Sequence, residues 1–417
     1  MTLAALFNGS SGLLANSAAL DVVGNNLANL NTTGYKTQRV LFKDQLYQTL
    51  SNGSVGSTSN GGTNPIQQGF GVGVSGIESN FLQGAINPTS RPLDAAIQGK
   101  GFFVLRNSTG QVYSRSGAFD IDANGFMVDP TTGFFVQRAG TVGDAGGVTP
   151  GFQVPGNNNI KIPFGVGVPG VATANVNFQG NLSTTLPVSG TFQAGIQVFD
   201  TQSQSRVLTV TFTKTAQNTF SASATIVGGV ATVTAAPIVF DTNGLLQSPA
   251  SLVVAITGIP GAGAQNINFN LGTIGTATGL SQFGGFSTAQ AVTQDGTGAG
   301  TLTSVSIDNE GKVQGQFTNG SVLAVAQLAV AAFNNEGGLV RVGNNYYTEG
   351  AASGQPLIGL ASNGGRGSIQ GAALEGSNVD ISSEFTKLIV AQRGFQINAR
   401  VITAGNETLQ ELANIIR

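Results

Sequence analysis

The chain has 417 residues, 40% of them hydrophobic and only 9% charged, against roughly 25% charged in an ordinary soluble protein. Eighteen Lys and Arg against 20 Asp and Glu leave a net charge of −2, which offers no basic face to nucleic acid or acidic lipid. The absence of Cys and His excludes disulfides and thiolate metal sites and removes the commonest general base, so no cofactor is expected.

The length suits two or three domains. No Lys or Arg precedes Lys36, so the positive region of a secretory signal is missing. No apolar run approaches the roughly 20 residues of a membrane-spanning helix. The expectation is a soluble chain without membrane insertion, which leaves the cell, if it does, by another route.

Leu6, Leu13, Leu20 and Leu27 recur every seven residues, flanked by Leu3, Val23 and Leu30. That spacing predicts one helix within residues 1–35, stopped by Asn29, Asn31 and Gly34. Asp21 is the one charged residue before Lys36, and the rest of the opposite face is Ser, Asn, Gly and Ala. A solvated face normally carries Lys and Glu. Small neutral residues suit close approach by other helices, or docking on the chain's own domain, and the stripe alone leaves both open.

Residues 36–89 read as a connector, and their Gly/Ser/Asn-rich part, 51–76, as a loosely ordered one. Gly71, Gly73 and Gly76 fit the G-x-G-x-x-G spacing, with Asp94 beyond them. A dinucleotide loop needs a strand before it and a helix after it. Here a loop precedes the glycines and Pro88 and Pro92 follow, and 61 glycines make chance matches ordinary.

The middle of the chain reads as β-structure. Leu208, Val210 and Phe212 alternate with threonines, the mark of a half-buried strand. Similar runs lie near 101–107, 111–120, 133–138, 191–199, 219–227, 230–240 and 251–259. Asn124-Gly125, Gly228-Gly229, Asn243-Gly244 and Asn319-Gly320 supply turns. Residues 120–125 imitate the start of a calcium loop, but Thr131 occupies the position that needs a bidentate Glu, so a hairpin turn is expected. Asp308, Glu310 and Glu336 are carboxylates without a catalytic spacing. Val322–Phe333 suits strand or helix equally.

Between 146 and 300 the charged residues are Lys161, Asp200, Arg206, Lys214, Asp241 and Asp295. This neutral segment, 146–284, reads as an outer β-domain inserted into an inner one built from 90–145 and 285–375. Residues 140–170, rich in Gly, Pro and Val, are the crossing point.

The last stretch repeats the opening pattern. Ile381, Leu388, Phe395, Ile402, Leu409 and Ile416 form an unbroken seven-residue series, widened by Phe385, Leu412 and Ile415. Ser377 or Asn378 is the expected N-cap, and Asp380, Glu384 and Arg417 lie in the sense the helix dipole favours. Two patterned ends most simply pack on each other, so 1–35 and 376–417 form one helical core. The fold class is α+β, mainly β, with paired terminal helices in a coiled-coil-like core and two nested β-rich domains. The ten heptad residues, Leu6, Leu13, Leu20 and Leu27 with the six from Ile381 to Ile416, are the candidate subunit-packing positions, facing each other or copies of the chain, and no spacing of carboxylates points to an enzyme.

Residues 15–36, from Ala15 to Lys36, resemble the N-terminal signature of the bacterial flagellar rod and hook proteins. Pro92–Phe103 with Tyr113–Gly117, and Gly371–Ala399 with its Ser377–Asp380 and Ile389–Arg393, are similar to two further blocks of that family. The large inserted segment and Ala332–Leu339 resemble its hook branch, whereas rod members look shorter. The resemblance implies a tubular axial homopolymer, with helices lining its core, β-domains outside and a central channel. It also implies rod and hook-filament junction proteins, a hook cap and the flagellar type III export apparatus as partners, in an extracellular flagellar location. Phe42–Leu46 looks like an export-gate segment, with a plain strand or connector anchor as the stronger reading. A rod subunit, or a secreted β-rich adhesin, remains the alternative.

Overall fold

A computed structural model of the chain describes residues 2–56, 58, 60–144, 151–234, 236–415; Ile416 and Arg417 lie outside the described residues. The protein is mainly β with two long helices, α1 (Thr2–Ala28) and α2 (Ile381–Ile415). At 1.5 Å per residue these reach about 40 and 52 Å.

The two helices lie side by side and antiparallel: Leu6 meets Gly405 near one end, and Asn26 meets Glu384 near the other. Their seam is made of small residues. A Cβ on Gly12 would fall 2.7 Å from the Asn398 side chain, and one on Gly394 would fall 2.5 Å from Asn16. Each asparagine donates to a carbonyl four residues back on its own helix, Asn16 to Gly12 at 2.7 Å and Asn398 to Gly394 at 2.9 Å. The result is a reciprocal pair, each amide covering the other helix's glycine. Leu6 over Gly405 and Ile402 over Gly9 extend it. A larger residue at Gly12 or Gly394 would have to displace the facing asparagine or part the axes, while a Cβ on Gly9 or Gly405 would lie in tight contact, 3.0 Å from the opposite side chain.

α2 begins later than expected. Asp380, not Ser377 or Asn378, is the N-cap, accepting from Ser383 N at 2.7 Å. Asn378 instead accepts from Thr37 N at 2.7 Å and donates to the carbonyls of Asn80 and Leu82. Its amide ties two chain segments together and is not free to cap a helix.

The segment read as a connector, 36–89, contains a long antiparallel ribbon. Gln38–Asp44 pairs with Val72–Ser79, and Tyr47–Ser51 with Ile66–Gly69, with Ser54 and Thr63 bridged near the tip. Ladder hydrogen bonds come from the backbone, and the paired strands carry Val40, Phe42, Tyr47, Val72, Val74 and Ile77. Ser11 Oγ accepts from Val72 N at 3.3 Å and seats the ribbon against α1.

Beyond the ribbon, two sheets enclose one core. The first runs from Val340–Gly343 through Tyr346–Thr348, Gln111–Ser114, Phe102–Arg106 and Phe135–Val136 to Met127–Val128 and Asp120–Ile121. The second holds Gly167–Val168, Gly300–Ile307, Lys312–Phe317 and Val322–Gln327. Phe103, Leu105, Phe119, Val313 and Leu328 are buried between them. Val322–Phe333 is thus resolved as strand, with Val330–Ala332 joining the first sheet.

A third group of strands, from Asn175–Asn181 to Gln290–Gln294, pairs only within itself among the described residues, as a six-stranded and a five-stranded sheet. Phe178, Phe212, Phe220, Ile238, Val254 and Phe269 lie in their shared core. Gln290–Gln294 pairs with Asn175–Asn181, and Gly167–Val168 with Gly300–Ile307. Ladders therefore change partners near 169 and 297, each later in the chain than the composition breaks at 146 and 284.

Candidate functional site

Where the helix pair meets the β body, the chain buries an ionic node. α1 ends at Ala28, and a tight passage through Gly34 (φ +69) brings Tyr35 and Lys36 inward. A side chain at 34 would lie 2.7 Å from Ser116 N, so only glycine passes here. Lys36 and Glu375 are fully buried and joined at 2.7 Å. Lys36 Nζ also donates to Leu82 O at 2.8 Å. Glu375 accepts besides from Gly84 N at 2.8 Å and from Arg115 at 3.3 Å. Arg115, 1% exposed, donates to the Gly99 carbonyl at 2.8 Å and stacks over Phe102. Arg341 completes the ring, donating to Lys36 O at 2.6 Å and lying over Tyr35 and Tyr347.

Two cations thus hold one carboxylate, with a third beside them. Burial pushes the Lys36 amine below the usual lysine range; Arg115 adds to this, and Glu375 opposes it. Burial likewise lowers Arg115, with Glu375 pulling the other way. Tyr35, Tyr113 and Tyr347 are all raised, chiefly by burial, Tyr113 to about 12. Tyr346 is raised by burial and by its hydrogen bond to Asp129 at 2.6 Å.

A second polar layer couples the node to the helices. Asn26 donates to Glu384 at 3.0 Å and accepts from Tyr35 OH at 3.1 Å and Gln38 N at 2.9 Å. The chain reversal after α1, the ribbon's first strand and the first turn of α2 therefore share one buried amide. This arrangement is a polar joint between the helix pair and the body. It fixes the angle at which the helix pair leaves the body.

The expected packing residues divide by environment. Leu6, Leu13, Leu20, Leu27, Leu388, Phe395, Ile402 and Leu409 are half-covered, flanking the small-residue seam, and Ile381 is exposed. Another set stands uncovered: Phe7 and Leu14 on α1, and Phe385, Ile389, Val390 and Ile397 on α2, each between 49% and 67% exposed. Apart from Phe385, sequence reading missed these as packing positions, since they fall off the heptad, and it missed the node entirely. The available signal was scarcity, because Lys36 and Arg115 are rare charges inside signature blocks.

The tempting motifs dissolve. Gly71–Gly76 belongs to the ribbon, where Val72–Ser79 is a paired strand. Asp122 accepts from Asn124 N and Phe126 N within a hairpin, as expected. Asp308 does the same for Glu310 N and Lys312 N. Among the described residues no acidic cluster could hold a metal, and no helix is long and apolar enough to cross a membrane.

Comparison with known proteins follows the same geometry. Residues 6–36 match the family described as flagella basal body rod protein, and 370–415 the flagellar basal body rod FlgEFG protein C-terminal. Residues 96–184 match the flagellar hook protein FlgE/F/G D1 domain, and 172–297 the flagellar basal body protein FlaE D2 domain. Lys36, Arg115 and Glu375 come one from each of three blocks. The fold and the matches together define a structural subunit of the flagellar rod and hook class.

The flagellar hook protein FlgE of Borreliella burgdorferi is 33% identical over 98% of this chain and 99% of its own. That of Escherichia coli strain K12 is 33% identical over 97% and 98%, and that of Treponema pallidum 32% over 99% of each. The crystal structure of Helicobacter pylori FlgE2 shows 16% identity and a TM-score of 0.43 over 68% of this chain and 99% of that one. The chain belongs to the flagellar hook protein FlgE family, whose members are structural subunits of the hook in the flagellum.

Proposed function

We propose that this chain assembles into a curved tube that bends while transmitting torque, a universal joint between motor and filament. The carrying observation is how the helix pair divides its surface. α1 and α2 spend glycine, alanine and asparagine on each other and leave Phe7, Leu14, Val390 and Ile397 uncovered. Apolar faces of this size on paired helices call for further helices, and copies of the same chain supply them. The helices then form the inner wall, and the heptad positions, eight of them only half-covered within one chain, close against neighbours.

The change of ladder partners near 169 and 297 supports two nested β-domains, the body around the Phe103 core and the group from Asn175 to Gln294 outside it. Near-neutral outer sheets suit sliding, because few ion pairs would break at each step. Rod, junction, cap and type III export components are the partners this reading brings, outside the cell. Full-length protein carrying Ile397→Asp tests it by sedimentation and electron microscopy. The expected result is loss of polymer with the β body still folded, while the unaltered chain forms curved tubes. Straight tubes from the unaltered chain would favour a rod subunit instead, and monodisperse particles would refute both.

A further inference from the structure

The outward face of α2 carries a charge pattern that the isolated chain does not use. Arg393, Arg400 and Glu407 recur every seven residues and Glu411 follows one turn later; all four are exposed. None has an ion-pair partner among the described residues. None stands three or four residues from an opposite charge, where pairing would stabilise the helix itself. Glu407 and Glu411 do stand four apart, which is repulsive.

In a chain with 9% charge, four exposed charges on one line of a helix, none paired among the described residues, form a face that a charged counterpart would fit.

We infer that the Arg393/Arg400 half of α2 docks on the Glu407/Glu411 half of α2 in a second copy, fixing the axial stagger of neighbouring subunits. The face is complementary to itself when parallel helices slide along their axis. Eleven residues separate Arg400 from Glu411 and fourteen separate Arg393 from Glu407, a shift of about 16–21 Å at 1.5 Å per residue. Arginine side chains span the remaining difference and can form forked pairs with carboxylates. A shift of seven residues is worse, because Arg393 would then face Arg400. The uncovered apolar residues give the helices adhesion, and the charges select one register.

This rests on the reading that the chain polymerises through its helices. The test uses full-length protein in three forms. Arg393→Glu with Arg400→Glu should raise the critical concentration for polymer at least tenfold, with the monomer's circular dichroism unchanged. Adding Glu407→Arg and Glu411→Arg restores complementarity, and assembly should return to within about threefold of the original. Normal assembly of the first variant overturns the inference, and so does failure of the fourfold exchange to restore it. Ile397→Asp separates the two ideas. If it polymerises normally the helix-packing reading itself fails, and if it blocks assembly while charge reversal does not, only the register inference fails.

Discussion

Replacing Glu375 by Gln tests the node most severely. Its carboxylate holds Lys36 at 2.7 Å, Arg115 at 3.3 Å and Gly84 N at 2.8 Å, with no solvent contact. Neutralising it leaves two buried cations without a counter-charge, which costs about 3–5 kcal/mol. Adding Lys36→Met removes one stranded cation and should recover about 1–3 kcal/mol through coupling. The chain offers a local probe: it has five tyrosines and no tryptophan, and none of Tyr35, Tyr47, Tyr113, Tyr346 and Tyr347 lies in the outer sheets. Urea unfolding followed by tyrosine fluorescence therefore reports the node and body, while far-ultraviolet dichroism also sees the outer group, so separate transitions can be told apart. A tyrosine-detected loss below about 1 kcal/mol, or a double variant no better than Glu375→Gln, would refute the claim that this ion cluster anchors the helices.

Gly34→Ala forces a side chain into a left-handed turn against the Ser116 backbone, and should cost at least about 2 kcal/mol by the same assay. Gly12→Leu collides with Asn398 and should separate the helices, read as faster amide exchange across residues 385–400 with the sheets unaffected. Alkaline pH should loosen the body before the outer sheets. Tyr113 is raised to about 12, so its contribution is fully present below the unfolded value near 10 and is lost as pH rises toward 12. A tenfold difference in proton affinity between folded and unfolded chain corresponds to about 1.4 kcal/mol, and Tyr35, Tyr346 and Tyr347 act in the same direction. Stability measured by urea midpoints should fall over that window; a flat profile between about pH 10 and 12 would contradict the burial of these hydroxyls.

Both helices and several strands of the outer sheets were legible because each carries a strong period. Thr191–Phe199 alternates cleanly and forms a strand over the expected range. The ribbon was not legible, since its strands are exposed or half-exposed along their length and no alternating buried face marks them. The heptad pointed to Leu6 and Ile402, which do meet the opposite helix, yet gave no sign that glycine and asparagine form the seam between them. Periodicity reports apolar residues, whereas close approach is set by residues with almost no side chain. The node was invisible for a different reason: Lys36, Arg115 and Glu375 are hundreds of residues apart at the extremes, and only the folded chain shows that three signature blocks meet there.

In the proposed assembly the faces left open by one helix pair are closed by other copies of the same chain. A helical reconstruction of the assembled polymer by electron microscopy tests it directly. The expected result is Leu14, Val390 and Ile397 buried between subunits on an inner wall of helices, with Arg400 beside Glu411 and Arg393 beside Glu407 of a neighbour. Finding those apolar residues facing open solvent in the polymer would contradict it.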